Sequence, residues 1–203
     1  MFTGIVQSKS PLKIEQSIEQ LKTISIPLTD RQSDGLLIGA SIALNGVCLT
    51  VTKVENGRAF FDVMMETLRV TNLGELAEGA MVNVERAAKI GDDIGGHSMS
   101  GHISSQVTVC KIEKPDNNCI IWFEISPDQR KYLFSKGFVG LNGCSLTIGE
   151  VSEDRFNIYL IPETLSVTTF GQMTLGDKVN IEYDPQTQAI VETLERMKVE
   201  GRL

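Results

Sequence analysis

The sequence is poor in the residues that build metal centres and disulfide frameworks. Its 203 residues include only four cysteines and two histidines, and no two cysteines form a C-x-x-C pair. This spacing does not fit a zinc site, and so few cysteines in a chain of this length do not make a disulfide scaffold. The sequence therefore predicts no metal site and reduced thiols, which favour a cytoplasmic protein.

Basic residues are scarce as well. The 19 lysines and arginines are outnumbered by 26 aspartates and glutamates, which gives a formal net charge of −7, and no basic run interrupts the chain. Surfaces that bind nucleic acids need basic patches to neutralise phosphates. We therefore expect no nucleic-acid partner.

Long apolar runs and nucleotide-binding loops are also missing. The most apolar stretch, residues 36–51, is interrupted by glycine, serine and asparagine and is too short to cross a bilayer. The first residues have neither the basic region nor the apolar core of a signal peptide. No G-x-G-x-x-G fingerprint or Walker loop follows a predicted strand. The sequence therefore predicts neither a membrane segment nor a dinucleotide or nucleotide triphosphate site.

What the sequence does contain is an internal repeat. Residues 44–50 read LNGVCLT, and residues 141–147 read LNGCSLT, an offset of 97 positions. The same offset relates Glu-Thr-Leu at 66–68 to Glu-Thr-Leu at 163–165. A constant offset across separate motifs predicts two similarly folded units without a net insertion between them.

The pattern within each half predicts strands rather than helices. In the first copy an Asn-Gly turn signal precedes a stretch in which Val47 and Leu49 alternate with Cys48 and Thr50. The first set should face a core, and the second should face away from it. Many short strands between such turns predict an antiparallel barrel in each half. We also expect a first strand at residues 2–6.

The connections and the tail carry further expectations. Residues 116–118 read as a hairpin turn, residues 128–135 as a short helix, and the glycine-rich residues 90–96 as a hinge between the halves. We predict domains at 1–97 and 98–185, followed by a helix at 186–203. Its apolar positions recur at helical spacing, so the helix either mediates self-association or docks back on a barrel.

Several motifs in this order resemble the riboflavin synthase family over essentially the whole chain. They are the N-terminal MFTGIV, NGVCLTVT from Asn45, GGHSMSGHI from Gly95 and IPETL from Ile161. The resemblance implies an all-β fold of two tandem six-stranded antiparallel Greek-key barrels, followed by a C-terminal α-helix that holds a homotrimer together.

The resemblance also implies a reaction. Two molecules of 6,7-dimethyl-8-ribityllumazine dismutate by transfer of a four-carbon unit, giving riboflavin and 5-amino-6-ribitylamino-pyrimidinedione. Each barrel binds one substrate molecule, and the working site pairs the N-terminal barrel of one subunit with the C-terminal barrel of another. The family needs no metal and no added cofactor.

Cys48 and His102 are the leading candidates for the chemistry. A thiolate is a strong nucleophile, so Cys48 could add to the substrate or position a nucleophile, although a free cysteine is more often a small buried apolar residue. His102 stands where the first half has Ile5, and an imidazole suits proton transfer near neutrality, although it could equally be structural. His97, in the glycine-rich segment, is interpreted as structural or peripheral.

The remaining candidates follow from the repeat and the resemblance. Ser145 takes the place of Cys48 in the second half, and with Thr147 it should hydrogen-bond the second pteridine. Ser41 and Asp184 resemble catalytic positions of the family, although Asp184 before Pro185 also predicts a helix N-cap. The expected substrate-binding residues are Gly4, Ile5, Val6, Cys48, Leu49, Thr50, Asp62, Val63, Met64, Met65, Glu66, Thr67, Gly101, His102, Ile103, Lys136, Ser145, Leu146, Thr147, Leu160, Ile161, Pro162, Glu163, Thr164 and Leu165.

A lumazine- or flavin-binding antenna protein is the main alternative. Such proteins share the fold and bind the ligand without turnover, and their second-half site has decayed. Here the second half keeps Gly101 and His102, Ser145 and Thr147, and the Pro-Glu-Thr motif at 162–164. These residues favour the enzyme over the antenna.

Overall fold

The computed structural model describes residues 1–115 and 118–202, so most of the predicted turn at 116–118 lies outside the described residues. The strands of the first half are β1 (Ser8–Pro11), β2 (Lys13–Ile18), β3 (Leu21–Pro27), β4 (Ser41–Leu44), β5 (Val47–Glu55), β6 (Arg58–Met64) and β7 (Met81–Arg86). Those of the second half are β8 (Ser105–Glu113), β9 (Cys119–Glu124), β10 (Phe138–Leu141), β11 (Cys144–Val151), β12 (Arg155–Leu160) and β13 (Lys178–Tyr183). The helices are α1 (Asp30–Ser33), α2 (Met65–Val70), α3 (Pro127–Arg130), α4 (Pro162–Val167) and α5 (Pro185–Val199).

The second half is a closed six-stranded barrel, as predicted. Its strands follow the order β10-β11-β12-β9-β8-β13, and every described pairing is antiparallel. Strand β13 returns to lie beside β10 after the β10-β11-β12 meander, which is the Greek-key arrangement. In the first half β7 returns to β4 after β4-β5-β6 in the same way.

The first half differs by one strand from the prediction of six. Its sheet has seven strands in the order β1-β7-β4-β5-β6-β3-β2. Residues 8–18 are split at Leu12 into β1 and β2, whereas the equivalent residues of the second half belong to the continuous β8. Pro11 stands where the second half has Thr108, and proline has no N–H to donate to a ladder. The two edge strands are therefore neighbours in sequence, joined through the buried Leu12.

The predicted strand at residues 2–6 is wrong. Phe2 forms only an isolated antiparallel bridge with Met99, and Gly4 adopts φ +74°, where the chain leaves the extended conformation. The first strand begins at Ser8 instead. A five-residue apolar pattern does not distinguish a strand from a segment that crosses between two sheets.

The two Asn-Gly turns have the predicted geometry and touch each other. Asn45 and Gly46 have φ values of 46° and 80°, and Asn142 and Gly143 have 44° and 78°. A Cβ added to Gly46 would lie 2.7 Å from the backbone nitrogen of Gly143. The turns therefore lie back to back at the centre of the molecule, and each glycine is required by its neighbour as well as by its own φ.

Each half has its own apolar core, and the alternation predicted from the sequence is confirmed. Val47 and Leu49 are buried in the first core, while Cys48 is half-buried and Thr50 is exposed. The second core contains a stacked pair of phenylalanines in its barrel. The strands thus present their small polar side chains on the outer face of each sheet.

Buried asparagines join the two halves. Asn83 Nδ2 donates to the carbonyl oxygen of Asn142 at 2.9 Å, and the equivalent Asn180 Nδ2 donates to that of Asn45, also at 2.9 Å. Asn72 contributes a third side chain, which donates to Asn142 Oδ1 at 3.1 Å and accepts from Asn180 Nδ2 at 3.0 Å. All five residues are at most 5% exposed. The repeat therefore generates a nearly twofold-symmetric polar interface.

Helix α5 begins as predicted and turns its polar side to the second barrel. Asp184 is its N-cap, with Oδ2 accepting a hydrogen bond from the backbone N–H of Thr187 at 2.8 Å. Glu195 pairs with Lys131 at 2.6 Å. Its apolar positions Ile190 and Leu194 remain 61% and 48% exposed. The helix therefore contacts the barrel through charged groups, and its apolar stripe at Ile190 and Leu194 stays exposed.

The other predicted helix is shorter than expected. Within the predicted 128–135 segment only a single turn, α3, is helical, and it starts one residue earlier at Pro127 behind a Ser126 capping box. Throughout residues 1–115 and 118–202, none of the helices is both long and apolar enough to cross a lipid bilayer.

The asparagine interface predicts a large stability effect for one side chain. Asn180→Ala leaves the carbonyl of Asn45 and the N–H of Asn72 without their buried partners. We expect the free energy of unfolding to fall by about 2–6 kcal/mol, at about 1–3 kcal/mol for each of the two unsatisfied groups. Urea denaturation measures the loss, with the exposed Gln186→Ala as a control expected within about 0.5 kcal/mol of wild type. A loss below about 1 kcal/mol for Asn180→Ala would contradict this account.

Candidate functional site

Cys48 lies on the outer face of the first sheet, beside a cavity of about 280 Å³. Its N–H donates to the carbonyl oxygen of Gly101 at 2.9 Å. Gly101 and His102 line the cavity, as do Glu66 and Thr67 at the start of α2. With Ile103, which also lines it, the structure therefore brings together six of the predicted residues around one opening.

The segments that precede each barrel cross to the other half. Gly4 was expected with the first-half site, but its carbonyl accepts from the N–H of Ser145 at 2.8 Å. Val6 packs against the core of the second barrel, and Ile103 packs against the core of the first. Gly4-Ile5-Val6 therefore belongs with Ser145, and Gly101-His102-Ile103 belongs with Cys48.

Glycine is required at both crossings. A Cβ on Gly101, at φ +80°, would lie 2.6 Å from the Cβ of Cys48. A Cβ on Gly4, at φ +74°, would lie 2.5 Å from the Cβ of Ser145. Both backbones pass so close to the site strand that no larger residue fits without a shift.

His97 lies at the second site, which the sequence interpretation missed. Its Nδ1 lies 2.6 Å from the hydroxyl oxygen of Ser145, which also accepts the His97 backbone N–H at 3.2 Å. The ring is 7% exposed and stacks on Phe138 with centroids 5.2 Å apart. Far from being peripheral, His97 is a direct partner of a predicted site residue. The sequence signal was Gly96, which lets the backbone pass within contact of Ser145.

Burial changes how the imidazole of His97 can interact with the hydroxyl of Ser145. Burial lowers the pKa of His97, and the charge of Asp184 opposes the shift. The imidazole is therefore neutral near pH 7 and can exchange a hydrogen bond with the Ser145 hydroxyl. Among the described residues its Nε2 has no hydrogen-bond partner. His97 and Ser145 can therefore act together as a hydrogen-bonded pair, or one of the two side chains can hold a proton.

The cysteines separate into two kinds. Burial raises the pKa of the Cys144 thiol to about 12, so this neighbour of Ser145 stays protonated and belongs to the core. Cys119 is also buried, and burial raises the pKa of its thiol and of that of the half-buried Cys110. Cys48 is half-buried at a cavity wall, the exposure that a reacting thiol requires.

The polar candidates around Cys48 lie on neighbouring strands and at the start of α2. Ser41 on β4 is directly opposite Thr50 on β5, so both project from the same outer face as Cys48. Asp62 lies on β6, where its carboxylate accepts from Thr23 Oγ1 at 2.7 Å. Glu66 forms an exposed ion pair with Arg69, and the bond from that guanidinium lowers the pKa of the carboxyl.

The remaining predicted binding residues lie in three settings. Leu49, Val63 and Leu160 are buried in the cores, so only their backbone groups can contact a ligand. Leu146 is half-buried against the second core. Exposed or partly exposed near the site strands and in α2 and α4 are Ile5, Met64, Met65, Lys136, Thr147, Ile161, Pro162, Glu163, Thr164 and Leu165.

Not all second-half candidates share one cavity. Pro162 and Leu165 line an opening of about 370 Å³ together with Cys119, and Ser145 is not among its walls. Asp184 caps α5, as its position before Pro185 predicts, and its charge raises the pKa of His97 against the effect of burial.

The chain matches the lumazine binding domain family twice, at residues 3–87 and 100–184. It is 53% identical to the riboflavin synthase of Escherichia coli strain K12 over 198 residues, covering 97% of this chain and 93% of that one. The chain belongs to the riboflavin synthase family. The riboflavin synthase of Bacillus subtilis strain 168 is 38% identical, with 91% of this chain and 85% of that one covered.

Solved structures of LumP are similar as well. The complex of LumP with riboflavin superimposes with a TM-score of 0.82 at 28% identity, covering 91% of this chain and all of that chain. The LumP complex with 6,7-dimethyl-8-(1'-D-ribityl) lumazine gives 0.81 at 27% identity, covering 90% and 98%. This member of the riboflavin synthase family therefore shares its fold with LumP.

The tight crossing at Cys48 predicts the effect of one methyl group. Gly101→Ala and Gly79→Ala both place alanine at φ +80°, but only the first meets neighbouring atoms within 4 Å. Gly79→Ala should lose about 1–2 kcal/mol of unfolding free energy from backbone strain, and Gly101→Ala a further 1–3 kcal/mol, roughly, from overpacking. Urea denaturation of both variants measures the difference. Equal losses would mean that the segment can move away from Cys48.

Proposed function

We propose that this chain converts two molecules of 6,7-dimethyl-8-ribityllumazine into riboflavin and 5-amino-6-ribitylamino-pyrimidinedione by transferring a four-carbon unit. The observation that carries the proposal is the cavity whose wall contains both Cys48 and His102. A half-buried thiol beside an exposed imidazole supplies a nucleophile and a proton acceptor, the two reactive groups that this chemistry needs.

The Cys48 cavity holds one pteridine in this proposal. Cys48 adds to the ring system or positions the nucleophile that does, while His102 moves the proton of the acidic C7 methyl group. Backbone groups around Glu66 and Thr67 bind the uracil-like edge, and carboxylates hold the ribityl hydroxyls. Most of the rate enhancement comes from holding two large planar substrates in register, because intramolecular alignment replaces a bimolecular encounter.

The Ser145 site holds the second pteridine. The hydrogen bond to His97 fixes the Ser145 hydroxyl, which then contacts the substrate or a developing anion. Thr147 lies two residues further on the same face of β11 and adds a second hydroxyl. The replacement of Cys48 by Ser145 at equivalent positions fits two sites with different tasks.

The complete site forms between subunits of a homotrimer in this proposal. Several apolar side chains around both sites are exposed, among them Ile5, Met64, Phe138 and Ile161. The N-terminal barrel (1–97) of one subunit would cover the C-terminal barrel (98–185) of another, with the helix at 186–203 holding the subunits together. Ser41, Lys136 and Asp184 then act from the edges of the paired sites. The protein works in the cytoplasm, where its thiols stay reduced.

Turnover tests the reaction directly. Purified protein incubated with 6,7-dimethyl-8-ribityllumazine alone should produce riboflavin, followed by absorbance. Cys48→Ala and His102→Gln should each lower kcat by about 100-fold or more, since each removes a reacting group. Cys110→Ala, a change of another half-buried thiol outside the cavity, should retain activity.

Tight binding of the substrate with lasting fluorescence and no riboflavin would contradict the enzyme. That result would favour the antenna reading, in which the fold serves only to hold the pteridine. Equal loss of activity in Cys110→Ala and Cys48→Ala would instead remove the specific role of Cys48.

The exposed stripe of α5 tests the trimer. Leu194→Asp puts a charge on the apolar stripe, whereas Ala189→Asp puts the same charge on an exposed position outside the Ile190–Leu194 pair. We expect Leu194→Asp to shift the mass measured by light scattering from trimer towards monomer, because burying a carboxylate in an apolar contact is costly. Ala189→Asp should remain trimeric. A monomeric wild type, or no change in Leu194→Asp, would refute the role of the helix.

A further inference from the structure

Two buried glutamates occupy equivalent positions at the interface of the halves. Glu85 on β7 and Glu182 on β13 are 4% and 3% exposed. Within the described residues neither carboxylate has a lysine or arginine partner, and burial raises the pKa of both against the effect of the hydrogen bonds they accept. Burying a carboxylate without a neighbouring cation costs free energy. We therefore expect the hydrogen bonds that each carboxylate accepts to have a structural role.

Each carboxylate binds the backbone of one crossing segment. Glu182 accepts from the N–H and hydroxyl of Ser100 at 2.6 and 2.8 Å and from the N–H of Gly101 at 3.1 Å. Glu85 accepts from the N–H and hydroxyl of Thr3 at 2.6 and 2.9 Å and from the N–H of Gly4 at 3.1 Å. Bonds to a charged acceptor are stronger than neutral ones, so the segments are firmly held.

The other side of each segment bonds to the opposite barrel. Gly101 gives its N–H to Glu182 of the second barrel and accepts from the N–H of Cys48 of the first. Gly4 connects Glu85 to Ser145 in the same manner. The residue that follows Gly101 is His102, whose charge influences the carboxyl of Glu182.

We propose that Glu182 is a positioning residue for the Cys48–His102 site and Glu85 for the Ser145–His97 site, so that each carboxylate acts on the site of the opposite barrel. The first site therefore depends on a side chain from the last strand of the second half. The effect of this positioning on catalysis rests on the proposed reaction, whereas the positioning itself is a property of the folded chain alone.

Alkylation of Cys48 measures the positioning without turnover. In Glu182→Gln an amide NH₂ replaces one of the two accepting oxygens and faces an N–H donor of the segment, so the cover over Cys48 loosens. We expect the limiting rate of iodoacetamide labelling of Cys48 at high pH, resolved by peptide mass spectrometry, to rise about tenfold. Glu85→Gln, the matched change in the other barrel, should leave this rate within about twofold of wild type. The limiting rate at high pH removes any effect of the carboxyl charge on thiol ionisation.

The other cysteines serve as internal controls. Cys110 should react equally in all proteins, and the buried Cys119 and Cys144 should stay protected. Labelling of Cys144 together with Cys48 would mean general loosening and would overturn the proposal, as would an equal rise in Glu85→Gln or no rise in Glu182→Gln. If Glu182→Gln does not fold, Glu182→Asp keeps the charge but shortens the reach, and the same outcomes apply.

Turnover separates this inference from the proposed reaction. If wild type makes no riboflavin but labelling differs as expected, the reaction fails and the positioning stands. If wild type is active and labelling does not differ, the positioning fails alone. Where both the reaction and the positioning hold, Glu182→Gln should also lower kcat, because the segment that carries His102 is held less firmly.

Discussion

The structure depends on hydrogen bonds buried between its halves. The back-to-back turns at Asn45 and Asn142 bring two sets of backbone groups together where water cannot reach them, so each group needs a protein partner. The asparagine side chains supply these partners in equivalent pairs. Such bonds fix the relative position of the barrels far more narrowly than apolar contact would, because their geometry is directional. Because the barrels are held in a fixed relative position, the candidate sites on their outer faces are held in a fixed relative position as well.

Equivalent positions that differ between the halves indicate where the duplicated sites diverged. Asn72, a member of the buried network, corresponds to Thr169, whose hydroxyl has no partner among the described residues. Ser41 corresponds to Phe138, which stacks on His97. With Cys48 and Ser145, these differences lie near the interface or the outer faces, while the core positions are equivalent in character. The equivalent core positions thus stay apolar in both halves, even where the side chains differ in size, as at Ala59 and Phe156.

Local patterns predicted the fold because they act over a few residues. The Asn-Gly turns, the alternation around Cys48 and the cap at Asp184 each follow from conformational preferences of neighbouring residues, and all three are confirmed. The strand expected at 2–6 and the position of His97 were missed, because both depend on contacts between residues far apart in sequence. For the same reason the repeat predicted two sites but not that the segments carrying Gly4 and Gly101 exchange places. An offset of 97 describes similarity between halves and contains no information on which half a segment touches.

Because the segments cross between the halves, the walls of the Cys48 opening form in a fixed order as the chain is synthesised on the ribosome. The first barrel can pair its strands once β7 has emerged, but its Cys48 opening lacks the wall formed by Gly101 and His102. That wall is anchored only when Glu182, 21 residues before the end of the chain, has folded into β13. A chain that ends before β13 thus lacks the carboxylate that anchors this wall. Completion of the last strand, rather than of the first barrel, therefore completes the opening beside Cys48.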